Sequence, residues 1–295
     1  VLTTLHAGGK FSNNVYKTSG GLHGVGISVV NALSQVLKVK IFNQSRLYSQ
    51  EYYKGKSKSN VKIEKCNKKL RGTEITFFPD KEIFENVNFS PKKLYSFIKM
   101  KAVLVKGTKI SFSVDKELIS DKTPFQDEFI YPKGIVDYMN ENYLNRKKAI
   151  SKDFHTNLDI NSKERCEVYI SFNNSDHSSI LSFCNTIQTP DGGSHENSLK
   201  NSIIKSIKLF GQKNQLTKSA NIIASDLFDY VDSFISIFIV SPSFEGQTKK
   251  RIAMPKLQKK LEELLQNQFI LWLNSNKKES IKLIEILIER SLLRT

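Results

Sequence analysis

The segment 19–26, SGGLHGVG, contains the residue types that bind phosphate groups. Glycines let a ligand approach the backbone closely and let the chain adopt positive φ angles. The segment runs directly into a predicted helix, whose first turn presents N–H groups that have no partner within the helix and carry partial positive charge. This combination favours a nucleotide-phosphate site. The four glycines are also compatible with a tight turn that only introduces the helix.

Two common phosphate motifs are excluded by the neighbouring residues. A dinucleotide-binding fingerprint needs a further glycine three residues after Gly26, where the sequence has Val29. A Walker motif needs Ser or Thr after the Gly-Lys pair, but Gly9-Lys10 is followed by Phe11. A phosphate site in this segment therefore belongs to neither of these classes.

The chain is strongly basic, with 45 Lys and Arg residues against 29 Asp and Glu residues and a formal net charge of +16. Two interpretations remain open: lysines that only solvate the surface, or a surface that binds a polyanion such as DNA. The 295 residues are 39% hydrophobic, which suffices for a core and predicts two domains. No run reaches the roughly 18 apolar residues of a membrane span, so a soluble intracellular protein is expected. The cysteines form no CxxC pair and predict free, mostly buried thiols: Cys66, Cys166 and Cys184.

Apolar periodicity predicts the elements that would position the glycine segment. Helices are predicted at 27–37, 90–105, 134–144 and 197–209, from 255 onwards and at 281–293. Strands are predicted at 36–42, 47–53, 61–64, 73–78, 110–114, 167–172, 180–187 and 234–240. The irregular, proline-containing stretch 121–134 predicts a domain boundary near residue 131.

Other polar residues are predicted to be structural. His195-Glu196 is interpreted as a turn or helix start rather than a metal pair, because no metal-ligand spacing accompanies it. Asp226, Asp229 and Asp232 recur every third residue, which is compatible with a cation site, but solvated carboxylates at a helix end are the favoured interpretation. No metal site is predicted within this chain.

Five segments together resemble one protein family. They are LHAGGKF at 5–11, YKTSGGLHGVGISVVNALS at 16–34, RGT at 71–73, TPDGGSHE at 189–196 and FEGQTK at 244–249. The first two are similar to the ATP lid and phosphate-binding segment of the GHKL ATPases. The last two resemble the transducer domain of the B subunits of type II topoisomerases. FFPDKEIF and SFCNTIQTPDGGSHE are more similar to topoisomerase IV than to gyrase.

This resemblance implies an α+β fold in two domains. Residues 1–131 would be the C-terminal part of a GHKL (Bergerat) ATPase domain, an α/β sandwich with the ATP lid and the phosphate-binding loop. Residues 132–295 would be a transducer domain of ribosomal-protein-like βαβ type, with long C-terminal helices and the QTK loop.

The resemblance also implies roles for individual residues. Backbone groups from Gly21 to Ile27 would hold the nucleotide phosphates; these residues are Gly21, Leu22, His23, Gly24, Val25, Gly26 and Ile27. Lys10 and Lys17 would add positive charge, and Tyr16 would lie near the adenine or ribose. Thr73 would contact the adenine through water. Gln247 and Lys249 would act in catalysis, with Lys249 at the γ-phosphate. Without the resemblance, Lys249 is interpreted as one solvated lysine of the basic run 249–251.

The implied function is that of an ATP-hydrolysing type II DNA topoisomerase, with ATP and Mg²⁺ as cofactors. The family's general-base Glu, its Mg²⁺-binding Asn and its adenine-binding Asp precede the lid, so the chain is expected to be an internal fragment that hydrolyses ATP negligibly alone. Expected partners are DNA, the A subunit of the topoisomerase, and a second B subunit, in the bacterial cytoplasm on the chromosome. Two alternatives remain: another GHKL protein, of mismatch-repair or chaperone type, and a non-enzymatic remnant that binds DNA or a partner.

Overall fold

The computed structural model of the chain describes residues 1–7, 24–143, 145–174 and 178–294. Its contacts separate two compact units, Val1–Ser90 and Pro91–Thr295. The domain boundary predicted near residue 131 falls inside the second unit, after a β-hairpin and before a helix, and it stays a prediction.

The described part of the first unit contains one short α-helix and a β-sheet. Its elements are α1 (Gly26–Ala32), β1 (Ser34–Asn43), β2 (Arg46–Tyr53), β3 (Lys56–Ser57), β4 (Lys62–Lys65) and β5 (Gly72–Pro79). The strand order is β3-β2-β1-β5, and β4 also pairs with β2. β1 is antiparallel to both β2 and β5. The strands predicted at 47–53, 61–64 and 73–78 are confirmed to within one residue at each end.

The helix predicted at 27–37 is wrong at its C-terminal end. α1 stops at Ala32 and β1 begins at Ser34. The apolar residues Leu37 and Val39 satisfy the alternation of a strand as well as the end of a helical pattern, and both are buried beside Tyr52 of the neighbouring strand. A helical and a strand periodicity overlap at these positions in the sequence. Packing of the side chains on the sheet favours the strand.

The second unit begins with a helix, a hairpin and a second helix, followed by a mixed sheet and long helices. The first elements are α2 (Pro91–Leu104), β6 (Ile110–Ser113), β7 (Gln126–Phe129) and α3 (Ile135–Tyr143). The strands of the large sheet are β8 (Phe154–Asp159), β9 (Arg165–Phe172), β10 (Ser179–Cys184), β11 (Ile187–Gln188) and β12 (Val231–Phe238). The remaining helices are α4 (Ser194–Lys213), α5 (Ala224–Phe228), α6 (Pro255–Ser275) and α7 (Lys277–Arg294).

The large sheet has the order β11-β10-β12-β9-β8 and contains a βαβ unit. β10 and β12 are parallel, and α4 lies in the connection between them. β12 is antiparallel to β9, and β9 is antiparallel to β8. The predicted βαβ arrangement and the two long C-terminal helices are confirmed.

The two faces of this sheet are covered by different helices. On one face, Val168 and Ile170 of β9 pack in a core with Leu199 of α4, Leu261 of α6 and Leu287 of α7. The other face carries Tyr169, Phe183 and Phe234, which pack in a second core with residues of α2, β6, β7 and α3. Alternate residues of a strand point to opposite faces, so one strand supplies both cores.

The predicted strand at 180–187 is interrupted by a turn. β10 ends at Cys184, and Asn185 and Thr186 have φ angles of 47° and 67°, after which Ile187 pairs back with Cys184. The Asn185 side chain exchanges hydrogen bonds of 2.8 Å with the backbone of Ile239, one in each direction. The amide thus stabilises a left-handed backbone that asparagine tolerates well.

Two of the three aspartates in the 226–232 series are buried, so the predicted solvated carboxylates are wrong for those positions. Asp226 accepts from Arg294 Nε at 2.9 Å and also caps α5 through the N–H of Ile223. Asp232 pairs with Arg146 at 2.9 Å and accepts from Ser179 at 2.6 Å. Asp229 is exposed. The two buried charges are balanced by arginines, as burial requires.

Within the described ranges, no helix is long and apolar enough to cross a bilayer. The thiols of Cys66, Cys166 and Cys184 are free, and the last two are buried, as predicted.

Candidate functional site

The described part of the glycine segment begins at Gly24. Gly24 has a φ of 60°, a left-handed conformation that glycine adopts without strain. Val25 precedes the first residue of α1, Gly26, so the N–H groups of the first turn have no acceptor within the helix. The first turn contains no acidic residue. The predicted site residues Lys10, Tyr16, Lys17, Gly21, Leu22 and His23 lie outside the described residues.

Gly26 occupies a position where the described fold does not require glycine. It is not among the residues of positive φ, and a Cβ built on it would meet no described heavy atom within 4 Å. Glycine at the start of a helix is less favourable than alanine. Among the described residues, none therefore blocks the approach of a ligand to the backbone at Gly26.

Thr73 lies on the same face of the first sheet as α1. It stands opposite Ile41 of β1, as Ile75 stands opposite Val39 and Phe77 opposite Leu37. Val30 of α1 packs against the core that Leu37 and Val39 form on this face. No described contact joins Thr73 to the glycine segment, and Thr73 is exposed.

An apolar cavity of about 280 Å³ lies elsewhere in the first unit. Its lining includes Leu33 at the end of α1, Phe77 and Pro79 of β5, and Phe89. None of the site residues predicted from the sequence lines it.

In the second unit, the loop that carries Gln247 and Lys249 leaves β12 and returns to α6. Gln247 is exposed and Lys249 is half-buried. Lys249 has a φ of 56°, and its Nζ lies 6.0 Å from the centroid of the Phe244 ring. The base of the loop is closed by the Glu245 N–H, which donates to the Arg251 carbonyl at 2.9 Å, and by the Ala253 N–H, which donates to Ser243 at 3.0 Å.

The positive charge of Lys249 also acts on the thiol of Cys184. Burial raises the pKa of Cys184 to about 12, and the positive charge of Lys249 acts in the opposite direction. The Lys249 ammonium therefore interacts electrostatically with the Cys184 thiol at the end of β10.

The QTK loop and the GGSHE segment are joined by backbone hydrogen bonds. The Ile252 N–H donates to the Gly192 carbonyl at 3.2 Å, and the Ser194 N–H donates to the Ile252 carbonyl at 3.0 Å. Gly193 forms a parallel bridge with Ile252. Two motifs that lie more than 50 residues apart in the sequence are therefore adjacent in the structure and joined by their backbones.

The two joined motifs lie at the starts of two long helices, α4 and α6. Ser194 is the first residue of α4, and its hydroxyl accepts the N–H of Met254, the residue before α6, at 2.7 Å. Arg251 donates to the Asp191 carbonyl at 2.8 Å. The sequence analysis did not identify Ser194, Arg251 and Ile252 as the residues that join these segments. Ser194 lies within the GGSHE segment, and Arg251 and Ile252 follow the QTK loop; this position was the only indication in the sequence.

His195 is structural, as predicted, and lies in the first turn of α4. It is fully buried, and its Nε2 lies 3.1 Å from the Thr189 hydroxyl. Burial lowers its pKa to about 4, so the imidazole is neutral at physiological pH. Across the described ranges, no three His, Cys, Asp or Glu side chains are grouped so that they could hold a metal.

A family model described as DNA gyrase B matches residues 134–295, which is more than half of the chain. The chain belongs to the DNA gyrase B family. The matched range contains the GGSHE segment, the QTK loop and both C-terminal helices of the structure.

Curated members of the gyrase B family align with nearly the whole chain. The B subunit of DNA topoisomerase 4 from Rickettsia felis is 41% identical over 291 residues, which are 98% of this chain and 44% of that protein. The B subunit of DNA gyrase from Thermotoga maritima is 36% identical over 277 residues, which are 91% of this chain and 42% of that protein. The chain therefore spans less than half the length of these relatives.

A solved structure shares the fold of this gyrase B family chain. The topoisomerase IV ATP binding domain of Francisella tularensis, in complex with a small molecule inhibitor, has a TM-score of 0.75 and 29% identity. The match covers 99% of this chain and 76% of that one. The resemblance to the B subunits of type II topoisomerases and the predicted α+β fold are confirmed, and the mismatch-repair and chaperone-type alternatives are not supported.

Proposed function

We propose that this chain is part of the B subunit of an ATP-dependent type II DNA topoisomerase, and that it couples nucleotide state to DNA strand passage. This proposal is supported by the hydrogen bonds that attach the QTK loop, through Ile252, to the first turn of α4 and the start of α6. A lysine on such a loop is connected to two helices that pack along each other.

Lys249 is the residue that would report the nucleotide state. A lysine at the terminal phosphate interacts with ATP and not with ADP, and only such a differential contact can shift a conformational equilibrium. Displacement of the loop would move Ile252 and Met254, and with them the starts of α4 and α6. Gln247, exposed on the same loop, would contact the same phosphate region.

The backbone of α1 and the glycine segment would hold the other phosphates. No described atom lies within 4 Å of a Cβ built on Gly26, and the first turn of α1 contains no acidic residue; both observations support this role. The positive charges of Lys10 and Lys17 would lie at the phosphates. Tyr16 would lie near the adenine or ribose, and Thr73 would contact the adenine through water. Mg²⁺ would accompany ATP.

The binding partners and the subtype of topoisomerase are proposed from the similarity to the relatives. The proposed partners are DNA, the A subunit of the topoisomerase, and a second B subunit, with ATP closing the two B subunits around a DNA duplex. The higher identity to the topoisomerase 4 relative, 41% against 36% for the gyrase relative, supports topoisomerase IV. Residues 132–295 are proposed as the transducer domain and residues 1–131 as part of the ATPase domain, in the cytoplasm of a bacterium.

The proposal is tested by reconstitution of the full native protein with the A subunit of the same enzyme. ATP-dependent relaxation of supercoiled DNA is expected, and Lys249→Gln should abolish it. Lys250→Gln is the matched control, because Lys250 is the exposed neighbouring lysine. ATP-dependent activity that is equally retained by both variants would contradict the role of Lys249, and no activity of the wild-type protein on DNA would contradict the function.

A further inference from the structure

A cavity of about 370 Å³ lies on the α2-covered face of the large sheet, beside Ser236 of β12, and is called the β12 cavity. Its residues are distinct from the glycine segment and the QTK loop. The volume is within the range of small-molecule sites. Its floor is a row of cross-strand neighbours, because Ser236 stands opposite Glu167 and Glu167 stands opposite Asn157.

Ser236 has a hydroxyl without a partner. The residue is 2% exposed, and its Oγ forms no hydrogen bond with any described residue. A buried hydroxyl without a hydrogen bond is unfavourable, and such groups in native proteins usually have a functional or solvent-related explanation. Its position in the lining of the cavity points to a ligand that supplies the missing bond.

The negative charge of Glu167 is already balanced. Lys106 Nζ lies 2.9 Å from each of its two oxygens, and His155 Nε2 lies 3.0 Å from Oε1. These contacts hold the pKa of Glu167 below its usual range despite burial. Glu167 therefore does not attract a further cation into the cavity.

Arg165 provides the unbalanced charge. Its guanidinium lies over the Phe238 ring at 4.3 Å from the centroid, and it forms no ion pair with any carboxylate of the described residues. A guanidinium offers several N–H donors in a planar fork that matches carboxylate and phosphate groups. Leu104, Val105 and Phe238 form the apolar part of the lining, and Lys106 and Asn157 complete it.

We propose that the β12 cavity binds a small organic anion. The charged group of the ligand binds Arg165 and the Ser236 hydroxyl. The body of the ligand packs on the apolar wall. An aromatic phosphate combines these features, and phenyl phosphate is the probe.

Binding is measured by isothermal titration or by ligand-observed NMR on the full chain, with inorganic phosphate and phenol as comparison ligands. Phenyl phosphate is expected to bind saturably below about 10 mM, and more tightly than either comparison ligand. Ser236→Ala and Arg165→Gln should each weaken binding roughly tenfold, as expected for a lost hydrogen bond to a charged group. Ser236→Ala removes an unpaired buried hydroxyl, so this variant is expected to fold.

Ser171→Ala is the matched control. Ser171 is also a buried serine without a hydrogen-bond partner among the described residues, but it does not line the cavity. Its substitution should leave the affinity unchanged. The proposal is overturned by absent saturation, by equal binding of phenol, or by phenyl phosphate affinity that neither Ser236→Ala nor Arg165→Gln reduces.

Discussion

Gly193 and Ile252 approach so closely that a Cβ on Gly193 would lie 2.3 Å from the Ile252 carbonyl oxygen and 2.5 Å from its nitrogen. Gly193 also has a φ of 125°, which residues with a side chain rarely adopt. The glycine of the GGSHE segment is therefore required by the returning strand of the QTK loop.

Gly193→Ala is expected to destabilise the chain by at least about 2 kcal/mol, because left-handed strain and a backbone clash add. Gly246→Ala is the control, since Gly246 has a φ of 80° but no described atom within 4 Å of an added Cβ. That variant should lose only about 1 kcal/mol. Urea unfolding measures both free energies, and equal losses would show that the contact with Ile252 is unimportant.

His195 predicts a pH dependence of stability. Its folded pKa of about 4 is below the ordinary value of 6.5, so between these values the unfolded chain binds more protons and the free energy of unfolding rises with pH. The contribution of neutral His195 to the free energy of unfolding is fully present above about pH 6.5 and is lost as the pH falls toward 4. From pH 7.5 to pH 5 the contribution of this residue falls by about 2 kcal/mol.

The measurement compares urea unfolding of the wild type and His195→Gln at these two pH values. The difference between the two proteins should shrink at the lower pH, since glutamine does not titrate. His155→Gln, at a partly exposed histidine, tests whether the effect is specific to the buried site. A wild-type pH dependence that His195→Gln leaves unchanged would show that other groups cause it.

Gly26→Ala separates ligand binding from folding. The described fold leaves space for the added Cβ, and alanine is more favourable than glycine in a helix, so stability should rise by up to about 1 kcal/mol. If phosphates lie against this backbone, the methyl group should nevertheless weaken ATP binding by about tenfold or more. Thermal unfolding and nucleotide titration of the full native protein provide the two readouts. Unchanged ATP affinity would remove Gly26 from the phosphate site.

The net charge of +16 predicts salt-dependent binding of duplex DNA. Contacts with several phosphates release counterions, so affinity should fall at least about tenfold between about 50 and 200 mM salt. Fluorescence anisotropy with two duplexes of unrelated sequence measures this, and both should bind alike. An affinity that is independent of salt would favour lysines that only solvate the surface.

The sequence predicted most elements of the sheets and helices because their apolar periods are strong. It failed where two periods overlapped, as at Ser34–Leu37, and it missed the strand β8, whose alternation in Phe154–Asp159 is carried by only three buried residues. Helix α4 starts three residues earlier than predicted because Ser194 begins it against the QTK loop.

The site was predictable only in part. The glycine segment and the QTK loop were recognised by their residues, but the reason for Gly193 is a contact with Ile252, which no local pattern contains. Strand register places Ser236 of β12 and Arg165 of β9 on one face of the sheet, where both line the β12 cavity. A one-residue shift of β12 against β9 would send Ser236 to the opposite face.

In the proposed function, Lys249 distinguishes ATP from ADP. This role is tested most directly by the affinities of the full native protein for a non-hydrolysable ATP analogue and for ADP, measured in the wild type, Lys249→Gln and Lys250→Gln. A charge-assisted contact with the terminal phosphate should give the analogue roughly tenfold tighter binding, a preference that Lys250→Gln keeps and Lys249→Gln loses. A preference that persists in Lys249→Gln would contradict the claim.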